Sequence, residues 1–327
     1  MKKSLTTLAR VLSATLCAAA LCVAQAQSFP LKPVRIITPF GAGNTLDTAL
    51  RVMGEKFKES TGQPLVIDNK AGGSGFIAAQ AAAISPPDGY TLLLGGTGLM
   101  AINPHIFSKI PYDPEKGYKP VANFLGSALV FAVHPSVPAD NLPDFIKWAK
   151  TNPGKGSFAS YSAGNASHFA GVILNQRAGL DLLHVPFNGT PAATTNLLGG
   201  QVQSAFLPLL SLKQHMDAGR VKVLAITGDG RSPLAPNVPT FRELGYPDLN
   251  LYVWAALYAP ASTPDAIVQK LSMEIAKALR TVEVGEKFRA MDFTPLPSTP
   301  DELATFVRND SKRWAEAVKL SGFKAAE

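Results

Sequence analysis

Three times between residues 34 and 104 a short apolar run ends in a glycine-rich segment and passes into apolar residues at helical spacing. The first unit is Val34-Arg35-Ile36-Ile37-Thr38, then Pro39-Phe40-Gly41-Ala42-Gly43-Asn44-Thr45, then Leu46, Ala49, Leu50, Met53 and Phe57. The second runs from Leu65-Val66-Ile67-Asp68 through Asn69-Lys70-Ala71-Gly72-Gly73-Ser74-Gly75 into an alanine-rich stretch ending before Pro86-Pro87-Asp88-Gly89. The third joins Tyr90-Thr91-Leu92-Leu93-Leu94 to a flexible loop, Gly95-Gly96-Thr97-Gly98. Consecutive strand–loop–helix units predict an α/β fold, a parallel sheet with helices on both faces. In such sheets a ligand crevice lies beyond the carboxyl ends of the strands, so the three loops are expected to converge there. Glycines let peptide N–H groups approach a ligand, and a helix N-terminus adds partial positive charge. An anion can then be held without a basic side chain. The alternative is a set of tight turns whose glycines serve only the backbone.

Residues 1–26 read as a signal peptide rather than fold. Lys2, Lys3 and Arg10 precede the apolar run from Val11 to Val23, and Ala24-Gln25-Ala26 fits a cleavage site. That run is too short for a permanent membrane anchor, which implies a periplasmic protein that is not membrane-embedded. Both cysteines, Cys17 and Cys22, fall in this segment, so the mature chain has no disulfide, thiol nucleophile or thiolate metal site. Loss of Lys2, Lys3 and Arg10 lowers the formal net charge from +7 to +4. The remaining lysines and arginines are scattered, with no stripe suited to nucleic acid.

From Ile110 to Pro120 the chain reads as a surface connection. Leu129-Val130-Phe131-Ala132-Val133 then opens a second set of units. Its loops are Ser162-Ala163-Gly164-Asn165-Ala166-Ser167-His168 and Phe187-Asn188-Gly189-Thr190-Pro191. The apolar run Leu251 to Tyr258 is expected to cross back to the first domain. The expected division is 27–127 with 252–327 as one domain and 128–251 as the other. Thr263-Pro264 and Thr299-Pro300-Asp301-Glu302 each read as a helix start, threonine capping and proline in the first turn. Leu303, Phe306, Val307, Trp314 and Val318 give the last helix one apolar face, read as a docking stripe.

Several chemistries lack their residues. The five histidines form no His-x-His or His-Glu-x-x-His pair, so no metal is expected. The glycine loops match neither the phosphate-binding Gly-x-x-x-x-Gly-Lys-Ser/Thr pattern nor a full Gly-x-Gly-x-x-Gly, so no nucleotide cofactor is expected. Ser167-His168 can be read as a hydrolase pair, but there is no Gly-x-Ser-x-Gly elbow. The favoured reading puts Ser167 near a helix N-cap, with His168 donating to a backbone carbonyl and no enzyme activity. Asp47 reads as a first-turn carboxylate compensating the helix dipole, and Lys70 as a solvated loop lysine.

The chain resembles the periplasmic solute-binding proteins of tripartite tricarboxylate transporters, the Bug family. The matching pieces include Phe29-Pro30-x-Lys32-Pro33-Val34-Arg35-Ile36-Ile37-x-Pro39-Phe40, Asn69 to Gly75 and Pro87-Asp88-Gly89-Tyr90-Thr91-Leu92. Gly164-Asn165-Ala166-Ser167-His168, Leu197-Leu198-Gly199-Gly200-Gln201-Val202 and the Trp254 region also match. The resemblance implies a type II-like binding-protein fold, two α/β domains hinged about a cleft that closes on a small carboxylate. It implies that Phe40, Gly41, Ala42, Gly43, Asn44, Thr45, Ser74, Gly75, Thr97 and Gly98 hold one end of the ligand. Gly164, Asn165, Ala166, Ser167, His168, Phe187, Asn188 and Gly189 are then expected to face the other. The implied partners are the transporter's membrane components or, alternatively, a sensor kinase, with the receptor itself a monomer. The chain departs from the family pattern at Asn44, Asn196 and Leu207, which removes candidate acceptors for an ammonium group. The expectation is therefore a di- or tricarboxylate, or an aromatic carboxylate against Phe40, Phe187 and Leu207, without an amine.

Overall fold

Val34, Ile36 and Ile37 are completely buried in the first strand, β1 (Val34–Thr38), as a strand covered on both faces requires. The structure, a computed structural model, describes residues 29–325, and the signal peptide expected over 1–26 lies outside them. β1 feeds α1 (Thr45–Thr61), which Asn44 caps by accepting the Asp47 N–H on Oδ1 at 3.0 Å. Ala49, Leu50, Met53 and Phe57 bury one stripe of α1. β2 (Leu65–Asn69), α2 (Phe76–Ala83) and β3 (Thr91–Gly96) follow, and β1 pairs in parallel with both strands.

The expected third glycine loop is not a loop. Gly95 and Gly96 end β3, and the chain passes into a π-helical turn (Thr97–Ile102) and α3 (Asn103–Ile106). The glycines serve close packing instead. A Cβ at Gly96 would sit 2.6 Å from Trp254 O, and one at Gly95 2.8 Å from the Tyr258 ring. The surface connection expected up to Pro120 also ends earlier. β4 (Tyr118–Ser127) is a ten-residue strand with Val121, Ala122 and Phe124 fully buried.

One residue, Ala128, separates β4 from β5 (Leu129–Val133). There follow α4 (Leu142–Thr151), β6 (Ser157–Ser160), α5 (Ala166–Ala178), β7 (Leu183–Pro186), α6 (Thr190–Leu198), β8 (Ser204–Pro208), α7 (Leu209–Asp217) and β9 (Lys222–Ile226). After 227–252 the chain forms β10 (Val253–Pro260), α8 (Asp265–Leu279), α9 (Val282–Ala290), β11 (Phe293–Pro295) and α10 (Pro300–Ser321).

The strands form two mixed sheets, ordered β11-β4-β10-β3-β1-β2 and β7-β6-β8-β5-β9. Each has three parallel strands followed by one antiparallel strand, β10 in the first and β5 in the second. The chain thus crosses between sheets at Ala128 and again over 227–252, and β10 inserts between β3 and β4. Two α/β lobes result, with β2-β1-β3-β10-β4 of the first corresponding to β7-β6-β8-β5-β9 of the second and β11 added at the edge. Phe131 anchors the second, with Phe145, Phe206 and Phe241 around it at centroid distances of 4.9, 5.0 and 6.4 Å. Each such buried ring contributes roughly 1.5–3 kcal/mol by leaving water.

Of the two threonine caps expected, only the second forms. Thr299 and Glu302 make a reciprocal capping box at the start of α10. Before α8 the cap position is Pro264, and Thr263 Oγ1 has no partner among the described residues. The apolar stripe of α10 docks across both lobes. Trp314 is fully buried, its ring centroid 6.3 Å from that of Phe169 on α5.

Candidate functional site

A cavity of about 650 Å³ lies between the lobes, and segments of both sheets wall it. From the first lobe come Phe40, the first turn of α1 at Thr45 and Leu46, Ser74-Gly75, and the run Gly95 to Leu99. The crossing strands add Ser127, Leu129 and Trp254, while Tyr161, Thr190, Leu210 and Ser211 face them from the second lobe. The three glycine-bearing segments therefore meet at one space. Among the described residues no lysine or arginine lines it, and Asp292 is the one charged group on its wall.

Peptide N–H groups supply donors at this wall, beside the hydroxyls of residues such as Ser74, Ser127 and Tyr161. The first N–H groups of a helix have no intrahelical acceptor, so those of Thr45 and Leu46 are available at the positive end of α1. Ser74, at φ 52°, turns the second segment toward the cavity, and Gly75 follows at φ 89°. Cross-ties fix these loops. Asn69 Nδ2 donates to Phe40 O at 3.0 Å, and Asn103 Nδ2 donates to Ser74 O at 3.0 Å. Nothing lies within 4 Å of a Cβ built on Gly98.

Trp254 forms a fixed wall. Its N–H donates to Thr97 Oγ1 at 2.8 Å, and its indole Nε1 donates to Asp310 Oδ2 at 2.6 Å. The same carboxylate oxygen accepts from Trp314 Nε1 at 2.7 Å. Burial pushes the Asp310 carboxyl above the usual carboxylate range, and the two indoles pull it part of the way back. Thr97 is thus on the wall, but its hydroxyl is committed to Trp254.

Other expected residues are occupied elsewhere. Gly41, Ala42, Gly43 and Asn44 are not on the cavity wall. The Gly43 N–H donates to Asp47 Oδ2 at 3.2 Å, and the Asn44 side chain caps α1 while bonding Gly41 O. Asp47 therefore does the capping-region work expected of it, with Arg51 beside it. Lys70 pairs with Asp68 at 3.6 Å, away from the cavity.

The second-lobe loop from Gly164 to His168 lies under the C-terminal segment instead of facing the cavity. A Cβ on Gly164 would fall 2.5 Å from Phe323 Cε1, and the Gly164 N–H donates to His168 Nδ1 at 3.2 Å. His168 thus accepts where it was expected to donate. Asn165 is the cap of α5, taking the Ser167 and His168 N–H groups, and Ala166 is buried behind it. Ser167 is fully buried and its hydroxyl donates to Asn165 Oδ1 at 2.8 Å. The His168 ring stacks on His184, centroids 3.7 Å apart and planes 7° apart. Burial lowers the pKa of His168 to about 3, with His184 adding to the shift, and burial lowers that of His184 to about 4. Both rings are neutral at pH 7, and Ser167 and His168 share no hydrogen bond among those described.

Phe187 and Gly189 spend their N–H groups on Ser160 O and Tyr161 O, at 3.0 and 2.9 Å. Asn188 is exposed and off the cavity wall. Leu207, expected as an apolar wall, is fully buried in the second-lobe core, because the neighbouring face of β8 packs under α6 and α7. The second-lobe wall is formed instead by Tyr161, Thr190 and the start of α7.

A family model described as the tripartite tricarboxylate transporter family receptor matches residues 49–323. The chain belongs to this family. Its members are periplasmic solute-binding receptors, and this receptor has no helix among its described residues long and apolar enough to cross a membrane. The receptor is 34% identical to Protein BugT of Bordetella pertussis over 91% of its own length and 92% of that protein. Among solved structures it is similar to R. palustris Rpa4515 with adipate, at 29% identity and TM-score 0.77 over 90% of this chain and 99% of that one. It is also similar to MatC (Rpa3494) from Rhodopseudomonas palustris with bound malate, at 30% identity and TM-score 0.71 over 89% and 100% of the two chains. Adipate and malate are both small dicarboxylates.

Proposed function

We propose that this receptor captures a small di- or tricarboxylate or aromatic carboxylate between its lobes and delivers it to the membrane components of a tripartite tricarboxylate transporter. The observation that carries the reading is the convergence of the α1 N-terminus, Ser74-Gly75 and Thr97-Gly98 on one cavity with no basic side chain on its wall among the described residues. Peptide N–H groups held by a rigid frame bind carboxylate oxygens through charge-assisted hydrogen bonds, which are strong once water is excluded. The dicarboxylates in the two R. palustris structures support the same class of ligand here. Residues 27–127 with 252–327 form one lobe in this reading, and 128–251 the other. Closure turns about Ala128 and the 227–252 crossing, and the ligand shifts the population toward the closed form. In this reading the ligand leaves unchanged, and residues 1–26 direct export and are then removed.

A thermal-shift screen of organic acids tests this. A bound carboxylate at a hundred times its dissociation constant adds about 2.7 kcal/mol of stability. For a chain of this size that corresponds to a rise of roughly 5–10 °C in Tm. If neutral or cationic solutes raise Tm while no mono-, di- or tricarboxylate does, the proposal fails.

A further inference from the structure

The carboxylate of Asp292 stands where folding alone gains little from it. Asp292 follows the last turn of α9 at φ 54°, with its N–H donating to Arg289 O at 3.0 Å. That left-handed position after a helix favours glycine or asparagine. The charge also faces the negative end of the α9 dipole. Burial pushes the carboxyl above its usual range, and the Ser232 hydroxyl pulls only part of the way back.

Its two oxygens are treated differently. Ser232 Oγ donates to Oδ1 at 2.7 Å, and that hydroxyl in turn accepts the Leu234 N–H at 3.2 Å, so its single proton is committed to Asp292. Oδ2 is buried and has no partner among the described residues. A buried acceptor left in that state destabilises the fold until a donor meets it. Met291, Asp292 and Phe293 together form one wall of the interlobe cavity. A carboxylate there repels an incoming anion unless the anion brings a donor to meet it.

We propose that Asp292 is the specificity-determining acceptor of the cleft: its carboxylate turns as the lobes close, so that Oδ2, shielded as the lobes stand, takes a hydrogen bond from a hydroxyl or ammonium group carried by the carboxylate ligand. The inference rests on the carboxylate-binding reading and narrows it. It also restores an acceptor of the kind whose absence at Asn196 and Leu207 argued against amine-bearing ligands. A binding site built to hydrogen-bond a donor discriminates strongly against the analogue lacking it, because its own polar group is then left unpaired.

The test is calorimetric titration of the mature protein with matched acids: succinate, malate and aspartate, then glutarate, 2-hydroxyglutarate and glutamate. Wild type is expected to bind a hydroxyl- or amino-bearing member at least about tenfold tighter than its unsubstituted partner, as one lost hydrogen bond to a charged group implies. Which member wins distinguishes hydroxyl from ammonium. In Asp292→Asn that ratio is expected to fall to about twofold or less, with a melting temperature at or above that of wild type, since the charge at the α9 C-terminus is gone. Carboxylates bound with no donor preference, or a preference that survives Asp292→Asn, overturn the inference and leave the carboxylate reading intact. Failure of every acid to bind overturns both.

Discussion

Asp310→Ala is expected to lower the melting temperature by on the order of 10 °C. Asp310 is 3% exposed, and one of its oxygens holds the indole N–H groups of both Trp254 and Trp314. Truncation leaves two buried donors without an acceptor and opens a hole beneath two tryptophans. Breaking a buried charged network of this kind costs about 3–5 kcal/mol. For a chain of this size each kcal/mol moves Tm by roughly 2–4 °C. Because Trp254 lines the cavity, carboxylate affinity is expected to weaken as well. Asp310→Asn keeps the shape and one acceptor, so its loss should be smaller. Scanning calorimetry on both variants decides the matter, and an Asp310→Ala protein melting within 2 °C of wild type, a shift of under about 1 kcal/mol, contradicts the account.

Stability is expected to fall by a few kcal/mol as the pH drops from 7 to 4.5, and the stacked histidines are the reason. In the folded protein burial lowers His168 to about 3 and His184 to about 4, whereas both titrate at 6.5 in the absence of those surroundings. Below 6.5 the unfolded chain takes up protons that the folded chain refuses. Stability therefore rises with pH through this window and is lost as pH falls. Glu243 and Glu283, held near 2 by hydrogen bonds from Arg231 and from Lys287 and Lys56, act in the same sense but below about 4.5. Asp292 and Asp310, both shifted upward, act in the opposite sense. A comparison with His184→Gln isolates the histidine contribution. Urea midpoints should show the stability advantage of wild type over that variant shrinking as pH falls from 7 to 4.5. A difference that is constant with pH would sink the explanation.

The repeated strand–loop–helix pattern was legible because parallel strands buried on both faces read as continuous apolar runs. β1 and β3 were visible for that reason, as was β10, whose run from Val253 to Pro260 is almost wholly buried; β2, an edge strand only partly buried, showed through its short apolar run alone. β4 was not, because Tyr118, Lys119 and Pro120 at its start mimic a surface connection while its buried part is short on branched residues. The role of Gly95 and Gly96 was misread because a glycine needed for close approach and one needed for a turn look alike in a sequence. Only the neighbouring Trp254 carbonyl and Tyr258 ring tell them apart.

At the site, the first-lobe segments could be placed because glycine loops at strand ends follow topology. The second-lobe residues could not. The loop from Gly164 to His168 has the composition of a binding loop, yet Phe323, far along the chain, covers it. Asp292 carried one faint signal, an aspartate where the residue after a helix is usually glycine or asparagine. Its distance in sequence from every glycine loop hid its place on the same cavity.

The most direct measurement is a crystal structure of the mature receptor with a tightly bound carboxylate from the screen. The account predicts carboxylate oxygens about 2.7–3.2 Å from peptide N–H groups at Thr45-Leu46 or Thr97-Gly98, inside the interlobe cavity, with no lysine or arginine in contact. A carboxylate paired with a basic side chain, or seated anywhere outside that cavity, would contradict it.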